Sequence, residues 1–504
     1  MSNHLFDAIR SAAQEDAPFI RVGNDKTWTY GDAIALSGRF ASAMDRLGIQ
    51  PGDRVAVQVE KSAEALILYL ACVRAGAVYL PLNTAYTLAE LDYFIGDAEP
   101  RLVVVASAAR DGVETIAKKY GAMVETLDAD GSGSLLDLTR DAPANFVDAS
   151  RGRDDLAAIL YTSGTTGRSK GAMLTHDNLL SNALTLKDVW RVTADDRLIH
   201  ALPIFHTHGL FVATNVTLLS GASMHLLTKF DPEEVLSLMP HSTLMMGVPT
   251  FYVRLLQSPH LNKDAVSNIR LFISGSAPLL AETHNEFHAR TGHAILERYG
   301  MTETNMNTSN PYDGKRIAGT VGFPLPGVSV RVTDPATGTE LPTGETGMIE
   351  IKGPNVFKGY WRMPEKTAAE FTADGFFISG DLGKIDAEGY VHIVGRGKDL
   401  VISGGYNIYP KEVEGEIDAI DGVVESAVIG VPHPDFGEGV TAIVVRKPGA
   451  SVDEKAIIGA LSDRLARYKQ PKRVVFVDDL PRNTMGKVQK NVLRQNYAEL
   501  YAKG

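Results

Sequence analysis

The chain has 504 residues, 44% of them hydrophobic and 22% charged, a composition that excludes a mainly disordered, collagen-like or coiled-coil protein. Its 50 Lys and Arg against 61 Asp and Glu give a net charge of −11, which argues against a general nucleic-acid or anionic-membrane binder. A single cysteine, Cys72, excludes an internal disulfide, and its apolar helical surroundings predict a core position.

The start of the chain shows neither the basic nor the apolar segment of a signal peptide. The most apolar stretch, residues 63–82, is interrupted by Glu64 and Arg74, which disfavours a membrane span. We therefore expect a cytoplasmic protein.

From residue 462 onward, the chain has 10 Lys and Arg and only 4 Asp and Glu. This basic segment indicates either a binding site for a small phosphorylated ligand or a solvated surface.

Up to about residue 330, short β-rich runs alternate with helical patterns. A strand at 53–59, for example, precedes a helix that Ser62 can cap and that ends near Gly76. This alternation predicts parallel sheets covered on both faces. Runs at 330–333, 347–352 and 389–394, separated by turns, predict a smaller antiparallel or barrel-like unit.

The last hundred residues predict a separate α+β unit, with helices at Pro410 and at 452–468 and strands near Ser426, near Thr441 and at 473–477. The whole pattern predicts an α/β fold. Residues 1–397 form a large part with two doubly wound αβ subdomains and a small β-barrel-like subdomain, and residues 398–504 form the small α+β domain.

The segment 161–171, YTSGTTGRSKG, combines three glycines, five Ser or Thr hydroxyls and two cations. Glycines allow backbone N–H groups to approach an anion closely, and the hydroxyls and cations add donors and positive charge. We expect a strand before this loop and a helix after it, which together indicate a phosphate cradle. It is not a Walker A loop, because no Gly-Lys pair is followed by Ser or Thr.

Other segments place polar side chains on short turns. Residues 299–304 bring an aromatic ring, a hydroxyl and the carboxylate of Glu303 together, and a carboxylate near a polyphosphate is a natural Mg²⁺ ligand. Asp381 and Arg396 lie on Gly-flanked turns, where an Asp either binds a ribose diol or only caps the turn. Lys487 follows a glycine in the basic tail, as either a functional amine or an exposed lysine.

Taken together and in this order, these segments resemble the adenylate-forming superfamily, which contains acyl-CoA synthetases, peptide-synthetase adenylation domains and luciferases. Further matches are residues 201–209, 274–278 and 395–410. The resemblance covers essentially the whole chain and implies ATP and Mg²⁺ as cofactors and coenzyme A as a co-substrate. One departure is Ser379, where many relatives have Thr; the hydroxyl is retained.

The resemblance also implies a role for each matched residue. The residues implied to bind ATP are Thr162, Ser163, Gly164, Thr165, Thr166, Gly167 and Lys170 for the phosphates, Ser276, Ala277, Pro278 and Tyr299 for adenine, and Asp381 and Arg396 for ribose. Thr302 is expected to touch the α-phosphate and Glu303 to bind Mg²⁺. Lys398 occupies the hinge position, and Lys487 bridges the α-phosphate and the substrate carboxylate.

The implied chemistry has two steps. Attack of a carboxylate on the α-phosphorus of ATP gives an acyl-adenylate and pyrophosphate, and a thiol then attacks the acyl carbonyl and releases AMP. Lys487 and Mg²⁺ would neutralise charge as the two anions meet. Because one cleft must admit a nucleotide first and a long thiol second, we expect the C-terminal domain to be mobile.

Two segments expected to face the acid pocket carry cations where an apolar acid would need apolar side chains. Arg298 directly precedes Tyr299, and a buried Arg needs a partner that a second substrate carboxylate would supply. Residues 297–309 and 481–487 resemble malonyl-CoA synthetases. We therefore predict malonate first and methylmalonate second, with Arg298 and His206 on the distal carboxylate and Thr207 and Met306 bordering the carbon between the carboxylates.

Alternatives remain at this stage. Arg298 could pair with Glu297 or Glu303, His206 could be a gate or packing residue, and His208 is expected to be structural. The function could be a ligase for another short-chain or aryl acid, an adenylation module that loads a carrier protein in trans, or a regulatory protein with a dead site. Acetylation of Lys487 would remove its charge, so a lysine acetyltransferase and deacetylase are expected partners.

Overall fold

The computed structural model describes residues 2–23, 26–162, 169–403, 406–434, 436–462, 464–465, 467–483 and 486–502. The α-helices of these residues, numbered in chain order, are α1 (His4–Ala12), α2 (Tyr30–Arg46), α3 (Ala63–Ala75), α4 (Leu88–Ala98), α5 (Arg110–Lys119), α6 (Ser134–Asp137), α7 (His176–Val189), α8 (Asn215–Ser220), α9 (Pro232–Leu238), α10 (Pro249–Gln257), α11 (Ala281–Thr291), α12 (Pro364–Ala369), α13 (Pro410–Asp418), α14 (Glu454–Leu461) and α15 (Lys490–Asn496). None of these helices is long and apolar enough to cross a membrane.

The first large sheet has seven strands, likewise numbered in chain order. From one edge to the other they are β18 (Gly359–Tyr360), β8 (Lys170–Thr175), β7 (Leu156–Thr162), β4 (Val78–Pro81), β3 (Arg54–Gln58), β5 (Leu102–Val105) and β6 (Met123–Thr126). The run from β7 to β6 is parallel, and β8 pairs antiparallel with β7.

The second large sheet has nine strands. Their order is β15 (Phe323–Pro324), β14 (Asn305–Ser309), β13 (Leu296–Met301), β12 (Leu271–Ser274), β11 (Leu244–Gly247), β9 (Arg197–His200), β10 (Ser223–Leu226), β1 (Pro18–Val22) and β2 (Lys26–Thr29). The strands from β13 to β1 are parallel, and the edges are antiparallel.

Each large sheet has an apolar cluster on both faces. Along β12, Leu271 and Ile273 enter the cluster shared with the seven-stranded sheet, whereas Phe272 enters a cluster on the other face. Helix α3 is buried on every side between the sheets; Ser62 caps its start and Gly76, at φ 69°, ends it. Cys72 in this helix is fully buried. The prediction of parallel sheets covered on both faces is confirmed.

Two smaller sheets complete the fold. The strands β16 (Ser329–Thr333), β17 (Gly347–Lys352), β19 (Phe377–Ile385) and β20 (Val391–Arg396) form an antiparallel unit, as predicted. The C-terminal sheet contains β21 (Val401–Ser403), β22 (Tyr406–Ile408), β23 (Val423–His433), β24 (Gly437–Arg446) and β25 (Arg473–Val477). It packs its own apolar clusters with α13, α14 and α15.

The helix expected after the 161–171 loop is confirmed: α7 begins at His176, where Thr175 caps it, after β8 has paired back onto β7. One local expectation was wrong. The helix predicted at 452–468 begins at Glu454, because the Asp453 side chain accepts a hydrogen bond from the Ala456 N–H and caps the first turn; it is described as far as Leu461.

A buried histidine in this core makes stability depend on pH. His176 is fully buried, both its ring nitrogens lack a hydrogen-bond partner among the described residues, and burial, with a smaller contribution from Arg151, lowers its pKa to about 4. In the unfolded chain this histidine takes up a proton near pH 6.5, whereas in the folded chain it stays neutral at that pH. The free energy of unfolding therefore falls as the pH drops from 6.5 towards 4.

We expect His176→Leu to remove about 2 kcal/mol of this acid destabilisation at pH 5. The melting temperatures of the variant and the unmodified protein, recorded between pH 7.5 and 4.5, would measure this effect. The difference between the two curves gives the contribution of His176. Parallel curves for the variant and the unmodified protein would contradict the assignment.

Candidate active site

The candidate residues converge at the carboxyl ends of the parallel strands of the nine-stranded sheet, where ligands bind in open α/β sheets. Residues 275–278 follow β12, and residues 201–209 follow β9. Ser276 has a left-handed φ of 71°, an unusual conformation for a residue with a side chain and one that occurs at ligand sites. Ala277 is partly exposed and Pro278 is exposed, so this edge of the cleft is open.

Tyr299, Asp381 and Arg396 form one hydrogen-bonded group. The Tyr299 hydroxyl donates to Asp381 Oδ2 at 2.5 Å, and Arg396 Nε lies 2.7 Å from Asp381 Oδ1. Asp381 and Arg396 face each other across β19 and β20, so the expectation that they lie on turns was wrong. These contacts hold the Asp381 carboxylate beside the aromatic ring of Tyr299. This arrangement suits the ribose and the base of a nucleotide.

The structure describes only part of the predicted phosphate-binding region. Thr162 and Lys170 face each other across β7 and β8, whereas Ser163, Gly164, Thr165, Thr166 and Gly167 lie outside the described residues. Lys170 Nζ lies 3.2 Å from Glu370 Oε1 and 4.1 Å from the centre of the Tyr360 ring. The Lys170 charge also acts on Glu303, where it opposes the rise in pKa that burial causes.

Glu303 is 6% exposed, and its Oε1 accepts a hydrogen bond from the Tyr360 hydroxyl at 3.0 Å. Burial raises its pKa, an effect that the Tyr360 hydrogen bond, Arg396 and Lys170 partly oppose. Thr302, partly buried, immediately precedes it in the turn between β13 and β14. The Tyr360 hydroxyl also lies 2.6 Å from Glu370 Oε2, so two carboxylates share one hydroxyl.

The residues around Glu303 fit Mg²⁺ held mainly by a substrate. No described group of three or more His, Cys, Asp or Glu side chains could hold a metal ion by itself. Mg²⁺ usually takes one or two carboxylates and completes its shell with water and phosphate oxygens. A single buried carboxylate beside the phosphate region therefore suits the ion only when a polyphosphate is also present.

Lys487 reaches this cleft from the C-terminal sheet side. Its backbone N–H donates to Asn483 Oδ1 at 2.9 Å, and Arg482 donates to the Gly486 carbonyl at 2.8 Å while pairing with Glu425. Lys487 is exposed, and desolvation and then the Arg396 charge lower the pKa of its side chain.

The charges of Asp381 and Glu303 also act on Lys487, with the opposite effect on its pKa. Gly486, at φ 74°, sits so close to Thr250 that a Cβ would lie 3.2 Å from Thr250 Cγ2. These contacts bring the C-terminal lysine into the same cleft as the nucleotide candidates.

Arg298 is the most unusual group of the site. It is 3% exposed, and its Nε and one terminal nitrogen have no hydrogen-bond partner in the part of the chain that the structure describes. Burial lowers its pKa to about 9. Its guanidinium packs on Gly275, where a Cβ would lie 2.3 Å from Arg298 Cζ. A buried cation without a partner is costly, and an anionic ligand would remove that cost.

The two acids considered as structural partners of Arg298 are engaged elsewhere. Glu297 accepts from the Gly319 N–H at 3.2 Å and lies 3.6 Å from His284, and Glu303 contacts Tyr360. Neighbouring residues of a strand point to opposite faces, so Glu297 and Arg298 in β13 diverge. The arginine is thus left for a ligand.

The loop after β9 brings His206 within reach of the Arg298 charge. His206 is half-buried, its Nδ1 accepts from the His208 N–H at 3.4 Å, and burial followed by the Arg298 charge lowers its pKa to about 4. Thr207 is buried with a hydroxyl that has no described partner. His208 Nδ1 lies 3.2 Å from Ser276 Oγ, which ties this loop to the segment after β12.

Met306 is buried in β14, and its backbone is fixed by Asn182, whose side-chain amide donates to the Met306 carbonyl at 2.8 Å. A Cβ on Gly300 would lie 2.5 Å from Met306 Cε, so the methionine packs directly on the strand that carries Arg298. The structure thus places His206 within reach of the Arg298 charge and Met306 against the strand that carries Arg298.

Tyr360 and Glu370 were missed by the sequence analysis. Tyr360 lies 57 residues from Glu303 along the chain, and Glu370 lies 200 residues from Lys170, so no short spacing links either to its partner. Only the pairing of β18 with β8 brings Tyr360 beside the phosphate region.

Comparison with known proteins gives consistent matches. Residues 8–361 match the AMP-binding enzyme family, and residues 412–487 match the AMP-binding enzyme C-terminal domain. A feruloyl-CoA synthase from Amycolatopsis sp is 38% identical over 474 residues, 93% of this chain and 94% of that protein. A malonate–CoA ligase from Arabidopsis thaliana is 33% identical and covers 98% of this chain and 91% of its own length.

Among solved structures, ATP-bound MatB from Rhodopseudomonas palustris is 66% identical and superposes with a TM-score of 0.98, covering 99% of this chain and 100% of that one.

Proposed function

Because the chain belongs to the AMP-binding enzyme family, we propose that it is an ATP-dependent ligase that joins malonate to coenzyme A, with release of AMP and pyrophosphate. The observation that carries the choice of malonate is the buried Arg298 without a described partner. A guanidinium grips a carboxylate through two parallel hydrogen bonds, so the distal carboxylate of malonate would satisfy it. A feruloyl group, which ends in an aromatic ring, would leave it unpaired.

His206 and Thr207 complete the proposed grip on the acid. The imidazole lies beside the Arg298 charge, and the unpartnered Thr207 hydroxyl supplies a donor at the same wall. Thr207 and Met306 would border the central carbon, so their volume would decide how well methylmalonate is accepted. The burial of both residues supports malonate as the preferred acid and methylmalonate as a second substrate.

In the first step, the proximal carboxylate oxygen attacks the α-phosphorus and the bond to the β-phosphate oxygen breaks. Lys487 would hold the attacking oxygen and the α-phosphate together, while Thr302 donates to the same phosphate. Tyr299, Asp381 and Arg396 would fix the nucleoside, and Ser276, Ala277 and Pro278 would line the base. Bound Mg²⁺, held by Glu303, would supply neutralisation of the phosphate charge.

In the second step, the thiol of coenzyme A attacks the acyl carbonyl and AMP leaves. We propose that residues 398–504 rotate about Lys398 between the steps, because Lys487 fills the cleft that the thiol must enter. Lys398 lies in a short helical turn, Gly397–Asp399, and Asp399 pairs with Arg494 of α15. The separate apolar clusters of the C-terminal sheet support movement as a unit.

The function is tested by product identity. The purified protein is incubated with ATP, Mg²⁺, coenzyme A and malonate, and the thioester and nucleotide products are measured by mass spectrometry. We expect malonyl-CoA and AMP in equal amounts, with no ADP. Formation of ADP, or no thioester from malonate while another acid gives one, would overturn the proposal.

Gly275 gives a prediction specific to the acid pocket. A Cβ there would lie 2.3–2.6 Å from three guanidinium atoms of Arg298, so Gly275→Ala must displace that side chain. We expect kcat/KM for malonate to fall about tenfold or more, since the misplaced cation loses part of its hydrogen bonding. Steady-state kinetics would measure it, with Gly459→Ala, which meets nothing within 4 Å, as the control. Equal losses in both variants would contradict the packing argument.

We also propose that acetylation of Lys487 switches the enzyme off, because it removes a charge from the cleft. The residual exposure of this side chain to water supports access by a modifying enzyme. Chemical acetylation followed by peptide mapping would test this proposal: the extent of modification at Lys487 should match the loss of activity.

The cytoplasmic location stays a prediction from the sequence.

A further inference from the structure

A lysine and a histidine lie buried together beside the acid pocket. Lys61 is 6% exposed and His200 is fully buried. Lys61 lies in the loop after β3 of the seven-stranded sheet, and His200 ends β9 of the nine-stranded sheet, so their contact joins two sheets at the carboxyl ends of their strands. In the part of the chain that the structure describes, the hydrogen bonds of the Lys61 amine go only to His200.

The geometry of this pair fixes which nitrogen of His200 carries the proton. His200 Nε2 lies 2.9 Å from the Gly209 carbonyl oxygen, which can only accept, so in the neutral ring Nε2 carries the hydrogen and donates it. His200 Nδ1 is then the acceptor for Lys61 Nζ at 2.9 Å, and Lys61 Nζ also donates to the His200 carbonyl at 2.7 Å. Burial lowers the pKa of both groups, but a neutral Lys61 amine would still donate both hydrogen bonds.

The Gly209 carbonyl stands in the first turn of a π-helix, His208–Thr214, a rare element that often marks functional sites. It also accepts a hydrogen bond from the Thr214 hydroxyl at 2.9 Å. A Cβ on Gly209 would lie 2.1 Å from the Pro203 carbonyl oxygen, so this turn has no room to shift towards the preceding loop.

His206 and Thr207 directly precede this π-helix, and the Leu210 N–H donates to the His206 carbonyl at 2.9 Å. The chain of contacts therefore runs from Lys61 through His200 and Gly209 to Thr207 and to His206, which lies within reach of the Arg298 charge. Neither Lys61 nor His200 needs to touch the acid to influence it.

We infer that Lys61 is a positioning residue for the second carboxylate of the substrate: through His200 it holds the turn that presents His206 and Thr207 beside Arg298. The inference rests on the proposed malonate ligase activity. The nucleotide residues Tyr299, Asp381 and Arg396 lie outside this chain of contacts, so the effect is confined to the acid.

The test is Lys61→Met, which keeps the apolar stem and removes the donors. We expect KM for malonate to rise about tenfold to a hundredfold, because small misplacements of binding groups have effects of this size. KM for ATP and kcat/KM for acetate should stay within about twofold, since acetate has no second carboxylate. Equal changes for malonate, ATP and acetate, or none, would overturn the inference.

Two further variants separate positioning from a loss of stability. His176→Leu changes a buried histidine outside this chain of contacts and should leave the ratio of malonate to acetate activity unchanged. Thr214→Val removes the other side-chain donor to the Gly209 carbonyl with little change in volume, and should raise KM for malonate in the same direction but less. If Lys61→Met does not fold, the test rests on Thr214→Val. An unchanged KM for malonate in that variant contradicts the inference.

The failure of the inference differs from that of the proposed function. If the unmodified protein makes no malonyl-CoA, the proposed function fails. If it makes malonyl-CoA and the Lys61 and Thr214 variants keep its KM for malonate, only the positioning role fails.

Discussion

Replacing Lys487 with alanine is expected to slow formation of the acyl-adenylate about a hundredfold to a thousandfold, the usual loss when one group that stabilises transition-state charge is removed. The carboxylate and the α-phosphate are both anions, and in the proposed mechanism Lys487 stands between them, on a turn that the Asn483 and Arg482 contacts hold. The side chain is reached by water and packs little, so its removal should leave the melting temperature within about a degree.

The rate is measured as malonate-dependent exchange of labelled pyrophosphate into ATP, which reports the first step alone. Lys455→Ala, an exposed lysine of α14, is the matched control and should retain the rate of the unmodified protein. A Lys487→Ala protein that exchanges pyrophosphate at the unmodified rate would show that another group neutralises the charge.

Replacing Arg298 with alanine should act on the acid and not on the nucleotide. Truncating one partner of a buried, hydrogen-bonded charge pair costs about 2–5 kcal/mol, so kcat/KM for malonate should fall at least about thirtyfold. Activity with acetate should change little, since acetate leaves Arg298 unpaired in either case. In the free protein the change removes a buried cation that has no partner among the described residues, so stability should not fall for electrostatic reasons.

Two variants sharpen this experiment. Arg298→Lys keeps a charge but loses the planar fork, and should recover only part of the malonate activity. Arg316→Ala removes a half-buried arginine whose three guanidinium nitrogens donate to the backbone carbonyls of residues 294, 311 and 312, so it should lower stability without altering acid preference. A fall of kcat/KM for acetate as large as that for malonate would return Arg298 to a structural role.

The sequence was sufficient to predict the parallel sheets, because alternating strand and helix patterns and caps such as Ser62 are local features. It was also sufficient to single out Arg298, because its position beside Tyr299 places it at the cleft. It left open whether Glu297 neutralises Arg298. The strand conformation of β13 answers this question, because consecutive residues of a strand point to opposite faces of the sheet.

Other parts of the site depend on contacts between distant segments. Asp381 and Arg396 were expected on turns because glycines flank them, but pairing of β19 with β20 places them opposite each other. The contacts of Tyr360 with Glu303 and of Lys61 with His200 join residues 57 and 139 positions apart. Side-chain types and spacing contain no signal for such contacts, which follow from how the sheets pack.

The most direct measurement of the central claim is pyrophosphate release by the unmodified protein with ATP, Mg²⁺ and coenzyme A and, in turn, malonate, methylmalonate, succinate, acetate, butyrate and benzoate. If Arg298 binds a second carboxylate in a short pocket, malonate should exceed acetate and butyrate by orders of magnitude, with methylmalonate second. A monocarboxylic acid in first place would contradict that role of Arg298 while leaving the ligase chemistry intact.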